Sequence, residues 1–181
     1  MYQAVDSSYL LLDTNNATNY TLKSSDGTQL SYVYNGSYYV CTRITDRNGN
    51  FITIAYAQGR IDKVTDTLGH EIKFNYAPNV ELCSNSAASG DLCSVTQTWT
   101  INGEQQTHYW ARFAYADRLI LANWQSGLTV NGPQYGSTIR ALTDVTLAHG
   151  SRYHFDYSVF GQVKKIYSIF TSMFPESSFV N

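Results

Sequence analysis

Four aspartates, Asp62, Asp66, Asp144 and Asp156, are the side chains in this sequence best suited to bond-breaking chemistry. Two carboxyls about 5–10 Å apart can divide the acid and base or nucleophile roles of glycoside hydrolysis. Asp66 already has a competing use, because Asp-x-x-Gly is the spacing of a turn whose carboxylate accepts backbone amides. The histidines at 70, 108, 149 and 154 form no HExxH pair and show no metal-ligand spacing. His70 and His149 adjoin turn glycines, and His154 alternates onto a polar strand face. DRNGN at 46–50 offers oxygen ligands at Asp46, Asn48 and Asn50, as a calcium loop does. Such a loop needs Gly at its sixth position and Glu at its twelfth; here Gly is fourth and Ala57 twelfth, so a turn is the better reading. No G-x-S-x-G, P-loop or dinucleotide fingerprint occurs. The expectation is a protein without catalytic residues, metal or cofactor: not an enzyme.

Two other groups of residues have chemistry to offer. Cys83 and Cys93 bracket LCSNSAASGDLC, whose small polar residues let the ends meet. A disulfide there closes a loop of about ten residues and stabilises by roughly 2–3 kcal/mol through the unfolded chain. It would imply an oxidising compartment; two free thiols are the alternative. Tyr109, Trp110 and Trp124, with Trp99, lie in the least periodic part of the chain. They can stack on sugar rings, or anchor that segment against a sheet.

Composition narrows the classes. Of 181 residues 43% are hydrophobic and 14% charged, with a formal net charge of −2. That is too little charge for a disordered chain and no basic stripe for nucleic acid. No apolar run approaches the length of a membrane span. Fifteen Tyr and eight Phe against three Pro favour pleated, half-buried surfaces. MYQAVDSSYLLLD lacks the basic start of a signal peptide, so the expectation is an internal piece of a longer chain.

The elements that must position these residues repeat. Counting three, five and seven residues from Gly49 reaches Ile52, Ile54 and Tyr56; from Gly69, Ile72, Phe74 and Tyr76. Gly27 gives Leu30, Tyr32 and Tyr34, and Gly150 gives Tyr153, Phe155 and Tyr157. The intervening positions carry Ser31, Thr53, Glu71, Lys73, Asn75, Arg152, His154 and Asp156, with Phe51 and Val33 as exceptions. Period two with one apolar side marks half-buried antiparallel strands. A second half-motif precedes or follows each run, in which Ile61 and Val64, or Val163 and Ile166, stand three apart. Cys41 and Ile44 fit it too, which makes Cys41 a small core hydrophobe. A spacing of three breaks alternation and predicts a bulge or bend. Asp46 and Asp66 cap turns in which Gly49 and Gly69 take positive φ, while Gly59, Gly150 and Gly161 mark the other turns.

DRNGNFITIAYAQGRIDKVTDTLGHEIKFNY (46–76) resembles the YD repeat of the RHS-repeat family, with its G-N…Y…G-R-(I/L)-x-x-V-T-D-x-x-G signature. AHGSRYHFDYSVFGQVKKI (148–166) is similar to a further copy. Clear matches cover 24–76 and 139–166. The resemblance implies an all-β fold of consecutive antiparallel hairpins in a curved, spiralling sheet, a fragment of a hollow β-shell. In bacterial polymorphic toxins such a shell encloses a toxin; in teneurins a related one serves adhesion. The family's closing, self-cleaving segment is absent from the 181 residues. The organisation expected is strands and YD hairpins over 1–76 and an irregular segment with the cysteine loop and further strands over 77–138. A further repeat follows over 139–166, then a tail over 167–181. The expected partners are further RHS repeats and an encapsulated toxin or effector, with glycans as an alternative ligand and a secreted or bacterial cell-surface setting.

Overall fold

The computed structural model describes residues 1–6, 8–78, 83, 87–122 and 131–170. Among these there is no helix. The strands are β1 (Tyr2–Gln3), β2 (Leu11–Asn16), β3 (Asn19–Lys23), β4 (Gln29–Tyr34), β5 (Tyr39–Thr45), β6 (Phe51–Ala57) and β7 (Arg60–Asp66). They continue with β8 (Glu71–Tyr76), β9 (Leu92–Ile101), β10 (Glu104–Leu119), β11 (Thr138–Leu147), β12 (Arg152–Tyr157) and β13 (Val163–Ile169). Strand order follows chain order, and each register is antiparallel. The protein is all-β, built of consecutive antiparallel hairpins.

Contacts divide the chain into two units, Met1–Phe74 with Gln97–Thr100, and Asn75–Thr96 with Ile101–Asn181. In the first unit, cross-strand partners line up the alternating apolar residues. Tyr2 faces Leu12, Leu12 faces Leu22, Leu22 faces Leu30, Leu30 faces Ile44, and Ile44 faces Ile52. A second row runs Ile54, Val64, Ile72. Directly opposed side chains of this kind are the unit of sheet stabilisation. None of the described residues of this unit is fully buried: it is one layer of sheet whose aliphatic rows are covered chiefly by one another. The second unit has a small core. Ile120, Ala122 and Ala141 are buried there, as are Ala77 and Cys93. Ile120 packs under the turn at Gly161, where an added Cβ would come within 2.8 Å of its Cδ1 and 2.7 Å of Ile139 Cδ1. Only a residue without a side chain fits so close an approach.

One local register recurs in four hairpins. In β6/β7, Ala55 faces Lys63 but Tyr56 faces Ile61, leaving Asp62 extra. In β4/β5, Ser31 faces Arg43 and Tyr32 faces Cys41, leaving Thr42. In β12/β13, Asp156 faces Lys165 and Tyr157 faces Val163, leaving Lys164. In β10/β11, Ala114 faces Asp144 and Tyr115 faces Leu142, leaving Thr143. The three-residue spacing of the apolar slots is therefore a β-bulge, one extra residue opposite a tyrosine. Cys41 holds the place of Ile61, Leu142 and Val163. Two details depart from the alternation read in the sequence. Tyr32 rather than Tyr34 meets the bulge in the first copy, so that copy is displaced by two residues, and Tyr34 is exposed. A fourth copy, formed by Phe113 and Tyr115 with Leu142 and Val145, lies partly in a segment without visible periodicity, because a long excursion separates its two strands.

A bulge twists its strand away from the next one, and the following ladder is short. Three pairs join β5 to β6 (43–45 with 51–53), and three join β11 to β12 (144–146 with 152–154). Past the ladder the carbonyl before the bulge needs another donor. The Tyr56 hydroxyl donates to Cys41 O at 2.9 Å, and the Tyr157 hydroxyl to Leu142 O at 2.7 Å. Each tyrosine thus defines the bulge in its own hairpin and ties its strand to the bulge of the preceding one. Tyr56→Phe and Tyr157→Phe should each cost about 1 kcal/mol in urea unfolding, the worth of one part-buried hydrogen bond. An equal loss from Tyr34→Phe, whose hydroxyl bonds only an exposed turn carbonyl, would remove the special role of these two.

Candidate functional site

The residues read from sequence as turn formers build one repeated device. Asp46 Oδ1 accepts the amides of Asn48 (2.8 Å) and Asn50 (2.9 Å), Asn50 Nδ2 donates to Oδ2 (2.8 Å), and the Gly49 amide donates to Asp46 O (3.1 Å). Asp66 repeats this with Leu68 N (2.8 Å), His70 N (2.9 Å), His70 Nδ1 (2.8 Å) and Gly69 N (3.1 Å). Gly49 and Gly69 sit at φ 88° and 84°, where a Cβ would strain the backbone. Gly150 and Gly161 close turns of the same pattern onto Leu147 and Ser158, and Ser158 Oγ stands in for the carboxylate. Gly59, with Gln58, forms the two-residue turn between β6 and β7, both at positive φ. Asn102 and Gly103 do the same between β9 and β10; that Asn-Gly dipeptide is a hairpin signal the sequence reading passed over. The side chain of Asn50 holds Asp46, and that of His70 holds Asp66, below the usual carboxylate range. These carboxylates are spent on amides, which fits a turn and leaves no open ligand set at DRNGN. Among the described residues, no three His, Cys, Asp or Glu side chains converge as a metal would require.

The ladder residues occupy β6, β8 and β12. Ile52, Ile54 and Tyr56 are half-buried while Ala55 and Ala57 are exposed, and Ile72, Phe74 and Tyr76 are half-buried between exposed Glu71 and Lys73. In β12, Phe155 and Tyr157 are half-buried and Tyr153 is exposed. Asn75, expected on a polar exposed face, is instead buried at 5% exposure. Its amide donates to Ser94 Oγ (3.2 Å) and Thr96 Oγ1 (2.9 Å), partners that make burial tolerable. Phe51, the exception to polar alternation, lies under the Arg43 guanidinium, 3.6 Å from its ring centre.

Of the four candidate acids, the structure ties Asp144 and Asp156 together through a histidine. His154 Nδ1 lies 2.8 Å from Asp144 Oδ1, and His154 Nε2 lies 3.4 Å from Asp156 Oδ1. Arg152 Nε donates to the same Asp144 oxygen at 2.6 Å. Asp144 and His154 face each other across β11/β12, so strand register alone creates the contact. Burial pushes the Asp144 carboxyl up, but hydrogen bonds from His154, Thr143 and Arg152 outweigh it and hold the group below its ordinary range. A carboxylate kept ionised and clasped by three partners is a poor general acid. Asp62 is the extra residue of the β7 bulge and Asp66 is committed to its turn.

A second ion cluster carried no sequence signal. Arg140 donates to Asp91 Oδ2 from Nε (3.1 Å) and Nη2 (2.8 Å), and to Asp117 Oδ1 from Nη1 (3.1 Å). Asp91 also accepts the Ala88 amide, so this fork anchors the chain just before β9, forty-nine residues from its partner. Cys83 and Cys93 are joined by a disulfide, and Cys41 is a free thiol. Burial pushes the Cys41 thiol up, which favours the protonated form over the nucleophilic thiolate.

Tyr109 borders a depression of about 340 Å³ that also includes His108, Arg112 and the turn at Gly150; Trp110 is not in its lining, and its carbonyl meets that turn, accepting the Ala148 amide at 3.2 Å. Arg112 lies over the Tyr109 ring at 3.8 Å, on a face a sugar would use. Trp110 is 47% exposed, with the His108 ring edge-on at 4.6 Å. Trp124 lies outside the described residues.

No protein-family model matches the chain, and no curated protein shows significant sequence similarity to it.

The low pKa of Asp144 has a defined pH consequence. A depressed folded-state value stabilises the fold above the unfolded pKa, near 3.9, and that stability is lost as pH falls through the folded value. Unfolding free energy should therefore decline below about pH 4, and Asp144→Asn should flatten that decline. An unchanged acid slope in the variant, measured by denaturation at stepped pH, would contradict the clasp.

Proposed function

We propose that this chain is a non-enzymatic structural segment of an RHS/YD-repeat shell, a wall that encloses or presents a toxin or effector domain in a secreted or bacterial cell-surface protein. The observation that carries the reading is the bulged hairpin, repeated four times in one register with tyrosines tying successive copies. A unit such as Met1–Phe74, with no fully buried described residue, supports a wall better than a self-contained module. It depends on neighbours in the way repeat arrays do. The candidate acids support no glycosidase pair, since each is held by amides, by a histidine or in a bulge. Further repeats and a cargo domain are the partners this reading calls for.

A glycan-binding or adhesion module is the second reading, favoured among the described residues by the exposed indoles of Trp99 and Trp110. Electron cryo-microscopy of the full-length polypeptide decides between them. A sheet-walled lumen holding a separate domain is expected; independently folded neighbours with no lumen would overturn the wall. Glycan-array binding lost in Trp110→Ala would transfer the function to the module.

A further inference from the structure

We propose that the outer edge of β13 is a strand-acceptor site for an extended segment of a partner polypeptide. That segment carries the pattern acid, apolar, x, apolar, x, Tyr. The site rests on register alone and stands or falls separately from the wall reading.

β13 is last in strand order, and every residue from Val163 to Ile169 is exposed. Its inner side carries the repeated bulge, with Lys164 extra. The other three strands with this bulge, β5, β7 and β11, each take a further strand on the opposite side, always in one register. Arg43, Ile44 and Thr45 face Thr53, Ile52 and Phe51; Lys63, Val64 and Thr65 face Lys73, Ile72 and Glu71; Asp144, Val145 and Thr146 face His154, Tyr153 and Arg152. The equivalent triplet in β13 is Lys165, Ile166 and Tyr167, with no outer partner among the described residues.

What that partner needs can be read from the three occupied edges. Opposite the middle position stands an apolar residue: Ile52, Ile72 or Tyr153. Four residues further comes a tyrosine, whose hydroxyl reaches the carbonyl before the bulge on β5 and β11; on β13 that carbonyl belongs to Val163. The charged residue at the first position pairs diagonally, two residues back along the incoming strand. Lys63 bonds Glu71 at 2.5 Å, and Asp144 bonds Arg152 at 2.6 Å. Lys165 therefore calls for a carboxylate in the place of Glu71. Two β13 edges set against each other would bring Lys164 and Lys165 of both copies together, which disfavours self-pairing. Extended peptides that add to an open sheet edge take affinity from backbone bonds and specificity from alternate side chains.

The chain's own residues 68–77, LGHEIKFNYA, satisfy the pattern and serve as the probe. Titrating the fluorescein-labelled peptide into the intact protein should give saturable anisotropy. Hydrogen exchange should slow at the amides of Val163–Ile169 when peptide is added. The Tyr76→Phe peptide should bind about 5-fold more weakly. The Glu71→Lys peptide should bind about 2- to 5-fold more weakly at low salt. Lys165→Glu protein should reverse the order of the two charge variants, and Lys165→Ala, which adds no charge beside Asp156, should abolish it. Binding indifferent to both peptide changes, or protection that appears outside β13, would overturn the site. So would β13 amides fully protected before peptide is added, since the edge would then already be filled.

Discussion

A single extra residue opposite a tyrosine governs how these strands add to one another. The bulge turns the strand, shortens the next ladder to three pairs, and leaves a carbonyl beyond reach of the neighbouring backbone. An unmet carbonyl in a half-buried sheet costs on the order of 1–3 kcal/mol, comparable to a noticeable fraction of a domain's stability. The phenol of the incoming strand is long enough to span the gap that the twist opens, and a shorter hydroxyl would not be. Tyrosine at the strand end is therefore a requirement of the backbone. Its ring meanwhile fills the apolar face, so one side chain meets both demands.

The two units solve the shortage of buried surface differently. In Met1–Phe74 stability resides in opposed aliphatic pairs and in turns closed by their own carboxylates. In the second unit, Ile120 is buried against Gly161 just past the end of β10, its amide donates to Ser137 O and that of Leu121 to Val159 O, and Ala122 is buried beside them in sequence. The disulfide and the Arg140 fork with Asp91 fasten the start of β9 in the same unit. Asn75 is paired there with Ser94 and Thr96, so the amide in the interior locks a register instead of weakening it, while Arg118 Nε is buried without a hydrogen-bond partner.

Much of this was legible in the residue pattern, for identifiable reasons. The alternation of Ile52, Ile54 and Tyr56 and the three-residue step from Ile61 to Val64 report backbone geometry directly, because period and bulge leave marks in adjacent residues. The turn aspartates were equally plain, since their partners lie two and four residues away. What stayed hidden depends on distance along the chain. The copy built from Tyr115 and Leu142 is interrupted by the excursion between β10 and β11; the Arg140 fork spans forty-nine residues. The burial of Asn75 depends on Ser94 and Thr96, which no local pattern announces. The clasp of Asp144 by His154 could be read only once strand register set them face to face.

The tyrosine bonds also set the rules by which such a chain can change length. The phenols of Tyr56 and Tyr157 reach into the hairpin before their own, so these copies interlock with their predecessors like roof tiles rather than abutting like bricks. Gain or loss of one whole glycine-to-glycine period keeps such a phenol over its carbonyl, whereas any other change within a copy misaligns a row. A long addition is accommodated at the hairpin end away from the five-residue turns, where β10 and β11 run on past the bulge. Unequal recombination between copies would thus be a tolerated route of growth.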